Sequence, residues 1–271
     1  MTEFSKISQR TKQIAMLIVF TALYVVLRNI PYTVLIGGAG GFLYLSDFLV
    51  AIFGIILGPY FGGLSIIMGN FAAIGLGHHV TFFGLDFLPD FMAVVSIGFL
   101  FRRKWLPVVL LNAAMLVIFV VNPLTSVFVF SVPFVWLHIV AFAVLLSPLS
   151  RLAGKWINVL DTKKIAISLA VFALIGAMIQ HLTGNILYEV VLNQFFVTIG
   201  QPPVIGAASY PGIWTTVFFA YPLERLFLII SAVLVGTPII WALKRNSFFN
   251  FDQQQVSDKK ANDSSTKDVN N

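Results

Sequence analysis

Three polar side chains recur at intervals of four residues within a long apolar stretch of this sequence. They are His181, Asn185 and Glu189, with Gln180 beside them. Residues spaced by four lie on one face of a helix. An ionisable group inside an apolar helix costs several kcal/mol unless it is paired or hydrated. The stripe therefore predicts either the lining of a ligand cavity or a packing network against Arg28 or Arg225.

Further candidates lie in neighbouring apolar stretches. Glu224 and Arg225 are adjacent near the middle of the last stretch and point in different directions on a helix, so we expect each to need a partner on another helix. A structural ion pair between helices is the alternative for them. Aromatic and imidazole rings could stack on a ligand ring, although Trp214 also suits a membrane interface. The predicted substrate-binding residues are His181, Asn185, Glu189, Tyr188, Trp136, His138, Trp214, Glu224 and Arg225.

Four more ionisable residues lie at the outer ends of apolar stretches. Arg28 is explained equally well by a functional role and by a side chain that reaches up to the lipid headgroups. Asp47, Asp86 and Asp90 are predicted to sit at helix N-termini, where a carboxylate can cap the helix and favours its dipole.

The sequence predicts no catalytic residue, no metal and no cofactor. It contains no Cys, no phosphate-binding GxxxxGK[ST] motif and no HExxH or GxSxG motif. The adjacent imidazoles of His78 and His79 lack a second pair of ligands at a useful spacing. We therefore expect a protein that is not an enzyme, with a membrane enzyme as the least favoured alternative.

The composition indicates which kind of fold holds these residues in place. Charged residues are only 10% of the chain and hydrophobic residues 58%, with a mean hydropathy of +0.92. Soluble proteins carry about a quarter charged residues, so this chain is predicted to be an all-α polytopic membrane protein. We expect a bundle of about eight (six to eight) transmembrane helices, each of about 20 apolar residues. The predicted spans are 13–30, 44–58, 60–76, 85–101, 105–121, 127–148, 164–192 and 213–243.

The second and third spans are separated only by Gly58 and Pro59. One helix over 44–76 would measure about 50 Å at 1.5 Å per residue, which is too long for one bilayer. A tight hairpin at Gly58–Pro59 is therefore predicted. A glycine-rich outer segment at 37–41 is predicted to act as a lid over a site.

The basic residues predict the orientation. Every Lys and Arg except Arg28 and Arg225 falls on one side if the chain crosses eight times, and that side is cytoplasmic by the positive-inside rule. This places residues 1–12 as a cytoplasmic N-terminus, 13–245 as the transmembrane domain and 246–271 as a disordered cytoplasmic tail. The expected location is the cell membrane. The net charge of +6 is thereby explained by topology, and no nucleic-acid partner is expected.

The order of parts in residues 22–76 resembles the N-terminal half of the substrate-binding S components of energy-coupling-factor (ECF) vitamin transporters. The end of the fourth span resembles them too. The segments that carry the resemblance are ALYVVLR (22–28), IP (30–31), LSDFL (45–49), GIILGP (54–59), YFGGL (60–64), Asn70 and FLFRR (99–103). The chain departs from that pattern by having about eight predicted spans where the family has six.

The resemblance implies a specific division of labour. Such components bind one vitamin or precursor near the outer face and associate with a membrane scaffold subunit and two cytosolic ATPases. We therefore expect an uptake component whose ligand carries an aromatic or cationic moiety, such as a thiamine-like or pyrimidine-like molecule, with membrane lipid around it. The alternatives are a stand-alone secondary transporter, in which Glu189, Glu224 and Arg225 form a proton relay, and a scaffold without a ligand.

Overall fold

The computed structural model describes residues 3–34 and 42–245. The predicted lid at 37–41 and the predicted tail at 246–271 lie outside the described residues. The fold is all-α, as predicted. Within the described residues, three helical stretches are long and apolar enough to cross a membrane, Thr11–Arg28, Thr162–Thr198 and Ala207–Arg245, and one bent pair of helices could make a fourth.

The helices are α1 (Glu3–Arg28), α2 (Val50–Ile56), α3 (Gly58–Gly75), α4 (Leu88–Phe101), α5 (Trp105–Val120), α6 (Trp136–Leu146), α7 (Pro148–Trp156), α8 (Thr162–Glu189), α9 (Phe195–Thr198) and α10 (Tyr210–Arg245). A 3-10 turn (Leu45–Leu49) leads into α2, and a π-helical turn (Val190–Gln194) joins α8 to α9. Two short antiparallel pairs complete the fold: β1 (Pro31–Val34) with β2 (Phe42–Tyr44), and β3 (Phe128–Val129) with β4 (Val132–Pro133).

The chain reverses direction between α2 and α3. Gly58 has a φ of 73°, a left-handed conformation that glycine adopts without steric cost. Tyr44, just before the 3-10 turn, and His78, just after α3, have ring centroids 4.4 Å apart. The entry to α2 and the exit from α3 are therefore at the same end of the molecule, and the Gly58 turn is at the other end.

Helix α8 is the centre of the bundle. It packs against α4, α10, α6 and α7, and most of its side chains are buried. Helix α4 joins it to the α2–α3 hairpin, and α1 covers α3 from outside. Buried side chains such as Ile97 on α4 and Phe172 on α8 form one apolar core. The polar stripe of α8 is thus held by the most enclosed of the three long apolar helices in the described residues.

The predicted span at 127–148 differs from what the structure shows. Its first residues form the β3–β4 hairpin, and the chain bends by 66° between α6 and α7. The cause is Ser147-Pro148: proline has no N–H to continue α6, and the Ser147 hydroxyl accepts a bond from the Leu149 N–H at 3.2 Å to begin a new helix. Helix α7 was not predicted.

Candidate ligand-binding cavity

A cavity of about 120 Å³ opens at the end of the bundle where α4 and α10 begin and α1 and α8 end. The loop between α3 and α4 also contributes to it. Its walls combine charged, amide and aromatic side chains. The lining residues are Arg28, Tyr44, Asp47, His78, His79, Thr81, Phe82, Asp86, Pro89, Asp90, Gln180, His181, Gly184, Asn185, Tyr188, Ile213, Trp214, Val217, Glu224 and Arg225.

Six of the nine residues predicted to bind substrate line this cavity: His181, Asn185, Tyr188, Trp214, Glu224 and Arg225. Two of the other three, His138 and Glu189, are buried nearby, whereas Trp136 is 36% exposed on the outside of α6. Trp136 and His138 are two positions apart on one helix and therefore point in different directions.

Arg225 contacts the first half of the bundle through one amide. Its Nη1 donates to Gln180 Oε1 at 3.0 Å, and Gln180 Nε2 donates to Asp90 Oδ1 at 2.5 Å. The expected partner on another helix is thus Gln180. The expectation for Glu224 was wrong, because the ion-pair partner that the structure gives it is its neighbour Arg225, at 3.7 Å.

Arg28 is buried rather than raised to the headgroups, so its interpretation as an interfacial residue was wrong. Its Nη1 lies 3.4 Å from both Asp47 Oδ1 and Asp90 Oδ2, and its Nη2 donates to the Asp86 carbonyl at 3.2 Å. We call Arg28, Asp47, Asp90, Gln180 and Arg225 the charge network. It links α1, the 3-10 turn before α2, α4, α8 and α10 at the cavity.

Asp47 takes part in capping as predicted, since its Oδ2 accepts from the Tyr44 N–H at 3.4 Å. Asp90 lies in the first turn of α4 as expected, but Asp86 is not a cap. Helix α4 begins after Phe87 without a side-chain cap. Asp86 instead accepts the N–H groups of Thr81 and Phe82, at 2.8 and 3.1 Å. Asp90 accepts the Tyr24 hydroxyl at 2.5 Å in addition to Gln180. Burial explains this difference, because each carboxylate needs strong donors where water is excluded.

The loop of residues 76–87 lies over one side of the cavity. His78 is buried against the Tyr44 ring, and the ring of Phe82 packs edge-on against Tyr188 with centroids 6.5 Å apart. Burial, with the nearby Arg28 charge, lowers the pKa of His78 to about 4. The imidazole is therefore neutral at physiological pH, and it adds no positive charge to the cavity.

Aromatic and imidazole rings form the opposite wall. His181 stacks on Tyr221 at 4.7 Å between centroids and on His138 at 5.2 Å, and His181 Nδ1 lies 3.1 Å from His138 Nε2. His138 therefore supports His181 from behind and does not line the cavity. Trp214 packs against Tyr188 at 6.1 Å. Its indole N–H donates to the Leu124 carbonyl at 2.8 Å.

Four polar atoms of lining residues have no hydrogen-bond partner among the described residues: Arg28 Nε, Arg225 Nε, Asn185 Nδ2 and the Tyr188 hydroxyl. The last two belong to neutral side chains whose residues are 6% and 4% exposed. Buried polar groups in proteins are almost always hydrogen-bonded to protein or to ordered water. These two atoms are buried within the cavity wall, so a ligand that displaces a neighbouring side chain would supply the missing partner.

The lining carries more negative than positive charge. Four carboxylates (Asp47, Asp86, Asp90 and Glu224) accompany two guanidinium groups (Arg28 and Arg225). Asp47 and Asp90 are bound to Arg28 and Asp86 to backbone amides, whereas the one ion pair of Glu224 within the described residues is its 3.7 Å contact with Arg225. The excess favours a positively charged ligand, and Glu224 is the least committed carboxylate.

Sequence reasoning placed Glu224 and Asp47 among the candidate ligand-binding groups, but it did not place Asp86, Asp90, Arg28 or the 76–87 loop in the same site. A signal was present, because all of them fall at the outer ends of predicted spans and must share one end of the bundle. The described residues contain no cluster of three or more His, Asp or Glu that could hold a metal ion. No protein-family model, curated protein or solved structure matches this chain.

Proposed function

We propose that this protein is the small-molecule-binding component of an uptake system in the cell membrane. In this proposal the chain crosses the bilayer eight times with both termini in the cytoplasm. Helices α4, α8 and α10 support the orientation, because their ends remote from the cavity carry the basic residues Arg102, Lys163 and Arg245. With the basic residues inside, the cavity opens toward the outside.

The observation that carries the proposal is a cavity with excess negative charge and two buried, unpartnered polar groups, Asn185 Nδ2 and the Tyr188 hydroxyl. A protein cavity of about 150 Å³ accommodates a benzene ring, so this cavity of about 120 Å³ suits a single small ring. The ligand we propose is a single-ring cation of the vitamin or vitamin-precursor type, such as a thiamine-like or pyrimidine-like fragment. Its ring would lie near His181, Tyr188 and Trp214.

Energy for uptake would come from other subunits. The sequence has no nucleotide-binding motif of the Walker type, and its residues 22–76 resemble the N-terminal half of ECF S components. We therefore propose a membrane scaffold subunit and cytosolic ATPases as partners, with lipid surrounding the bundle.

Mass spectrometry of small molecules extracted from gently purified protein tests this proposal. We expect one stoichiometric, positively charged compound that is depleted at least tenfold in Asn185→Leu and in Tyr188→Phe. The matched control is Trp136→Phe, an aromatic change outside the cavity that should leave the compound in place.

A protein that retains no compound, and that shows no binding when it is titrated with single-ring cations, contradicts the proposal. Uptake into liposomes by the chain alone, driven by a proton gradient, would instead support a secondary transporter. Loss of the compound in Trp136→Phe as well would show that its binding is not specific to the cavity.

A further inference from the structure

Glu189 lies outside the cavity, at the end of α8, and is fully buried. None of the Lys, Arg or His side chains in the described residues forms an ion pair with it, and its Oε2 has no hydrogen-bond partner there. A carboxylate in such a place would be an uncompensated buried charge, which proteins avoid by pairing the group or by protonating it.

The hydrogen bonds around Thr125 indicate that Glu189 is protonated rather than paired. The Thr125 Oγ1 lies 2.6 Å from the Phe119 carbonyl oxygen and 2.6 Å from Glu189 Oε1. A threonine hydroxyl has one hydrogen, and a carbonyl oxygen can only accept. If Thr125 donates to Phe119, the second contact needs a hydrogen from Glu189. The arrangement is complete when the acid donates to Thr125 and Thr125 donates to Phe119.

The same acid fastens a loop that supports the cavity wall. Residues 121–127, which we call the clasp loop, join α5 to β3. Asn122 exchanges two amide hydrogen bonds with Gln194 in the π-helical turn, at 3.1 and 3.5 Å. The Leu124 carbonyl accepts the indole N–H of Trp214, whose ring lines the cavity. Glu189 therefore lies one loop away from a residue that forms part of the ligand cavity.

We propose that Glu189 is a proton-binding site and that its proton holds the clasp loop closed. Loss of the proton would leave two acceptors facing one hydroxyl hydrogen and a bare charge inside the bundle, so the loop would detach and release Trp214. The clasp loop, the end of α5 and the π-helical turn contribute no titratable group; the titratable neighbours are Tyr188 on α8 and Tyr210 on α10. The further claim that ligand retention depends on this proton rests on the proposed function.

Infrared spectroscopy tests the proton directly. At neutral pH, the difference spectrum between wild type and Glu189→Gln should contain the C=O stretch of a protonated carboxylic acid, lost in the variant. Glu224→Gln is the matched control, and its spectrum should keep that band. A difference spectrum with only carboxylate bands for Glu189 would overturn the proposal.

Hydrogen exchange tests the clasp. At each pH, wild type and Glu189→Gln are compared, so the intrinsic pH dependence of exchange cancels. Because the glutamine amide is a permanent neutral donor to Thr125, the variant should keep the clasp loop protected at every pH. We expect wild type to match it at neutral pH and to exchange at least tenfold faster once Glu189 has lost its proton. Equal protection at all pH values up to the limit of protein stability would overturn the proposal.

Both measurements work without a ligand, so they stand even if the cavity proves empty. Where a bound compound is found, wild type should release it as the proton leaves, whereas Glu189→Gln should retain it. If both proteins release the compound with the same pH dependence, ligand retention does not depend on the proton of Glu189, and the proposed coupling is contradicted.

Discussion

The two ends of the bundle are stabilised in different ways. At the Gly58 end, backbone packs directly on backbone: a Cβ added at Gly98 on α4 would collide with the backbone of Gly58 and Pro59, and one at Gly54 would lie 2.8 Å from Ile97. At the cavity end, Arg28 reaches its two aspartates at 3.4 Å, and polar groups on Asn185 and Tyr188 have no partner in the described chain.

The molecule can therefore change shape more easily at the cavity end than at the Gly58 end. Close-packed interiors tolerate almost no change of volume, so the Gly58 end acts as a rigid base. At the cavity end, the contacts of Arg28 with Asp47 and Asp90 are long, at 3.4 Å, and the cavity lies beside them. A ligand that enters the cavity can therefore replace one of these charged partners. Binding at the cavity end therefore need not disturb the packing of the other end.

The largest effect we expect comes from breaking the charge network. Arg28→Met would leave Asp47 and Asp90 buried without their cation, which typically costs about 3–5 kcal/mol. Unfolding in detergent, followed by circular dichroism, measures the loss. Lys155→Met on α7 removes an exposed cation and should change stability by less than about 0.5 kcal/mol. Equal stability of the two variants would show that the network contributes nothing.

A smaller loss is expected from disturbing the rigid base. Gly98→Ala would force the α2–α3 turn away from α4, and overpacking of this kind costs about 1–3 kcal/mol. Gly75→Ala is the control, because a Cβ there meets nothing within 4 Å. The same unfolding assay compares them. If Gly98→Ala is as stable as Gly75→Ala, the base is more adaptable than its packing indicates.

The smallest effect concerns the loop over the cavity. Because burial lowers the pKa of His78 from 6.5 to about 4, the unfolded chain binds a proton that the folded chain refuses between these pH values. Stability should therefore fall as the pH drops from 6.5 toward 4, by about 1 kcal/mol at pH 5 after allowance for solvent near the ring. His78→Gln should flatten this slope in thermal unfolding.

The exposed neighbour His79 supplies the control for that experiment. His79→Gln should keep the wild-type dependence of stability on pH. If that dependence disappears in His79→Gln but not in His78→Gln, it is caused by His79 and the prediction for His78 is wrong.

The long helices were predictable because their apolar runs are longer than any other structural element of a membrane protein needs. The starts and ends of α5 and α10 lie within three residues of the predicted spans, and so does the end of α8 if its π-helical turn is counted. The predicted span at 127–148 ends within two residues of the end of α6 at Leu146, but helix α7 was not predicted, because the basic residues that follow indicated a loop between spans. Its capping hydrogen bond is visible only in three dimensions.

The site was predictable only as far as one helix face extends. His181 and Asn185 line the cavity as their spacing indicated, but α8 passes into the π-helical turn just after Glu189, and that residue faces Thr125 instead. The pairing of Arg28 with aspartates from two other segments depends on how α1, α2 and α4 pack, which no local pattern contains.

Helix lengths in this bundle are unequal, and that has a consequence for the lipid around it. At 1.5 Å per residue, the 16 residues of α5 measure about 24 Å and the 28 residues of α8 about 42 Å. A typical hydrocarbon layer is about 30 Å thick, so in the proposed eight-span arrangement, where both helices cross the bilayer, α8 must tilt and the bilayer must thin beside α5. Since thinning costs free energy for each ångström of mismatch, reconstitution in shorter-chain lipids should suit this protein better than reconstitution in long-chain ones.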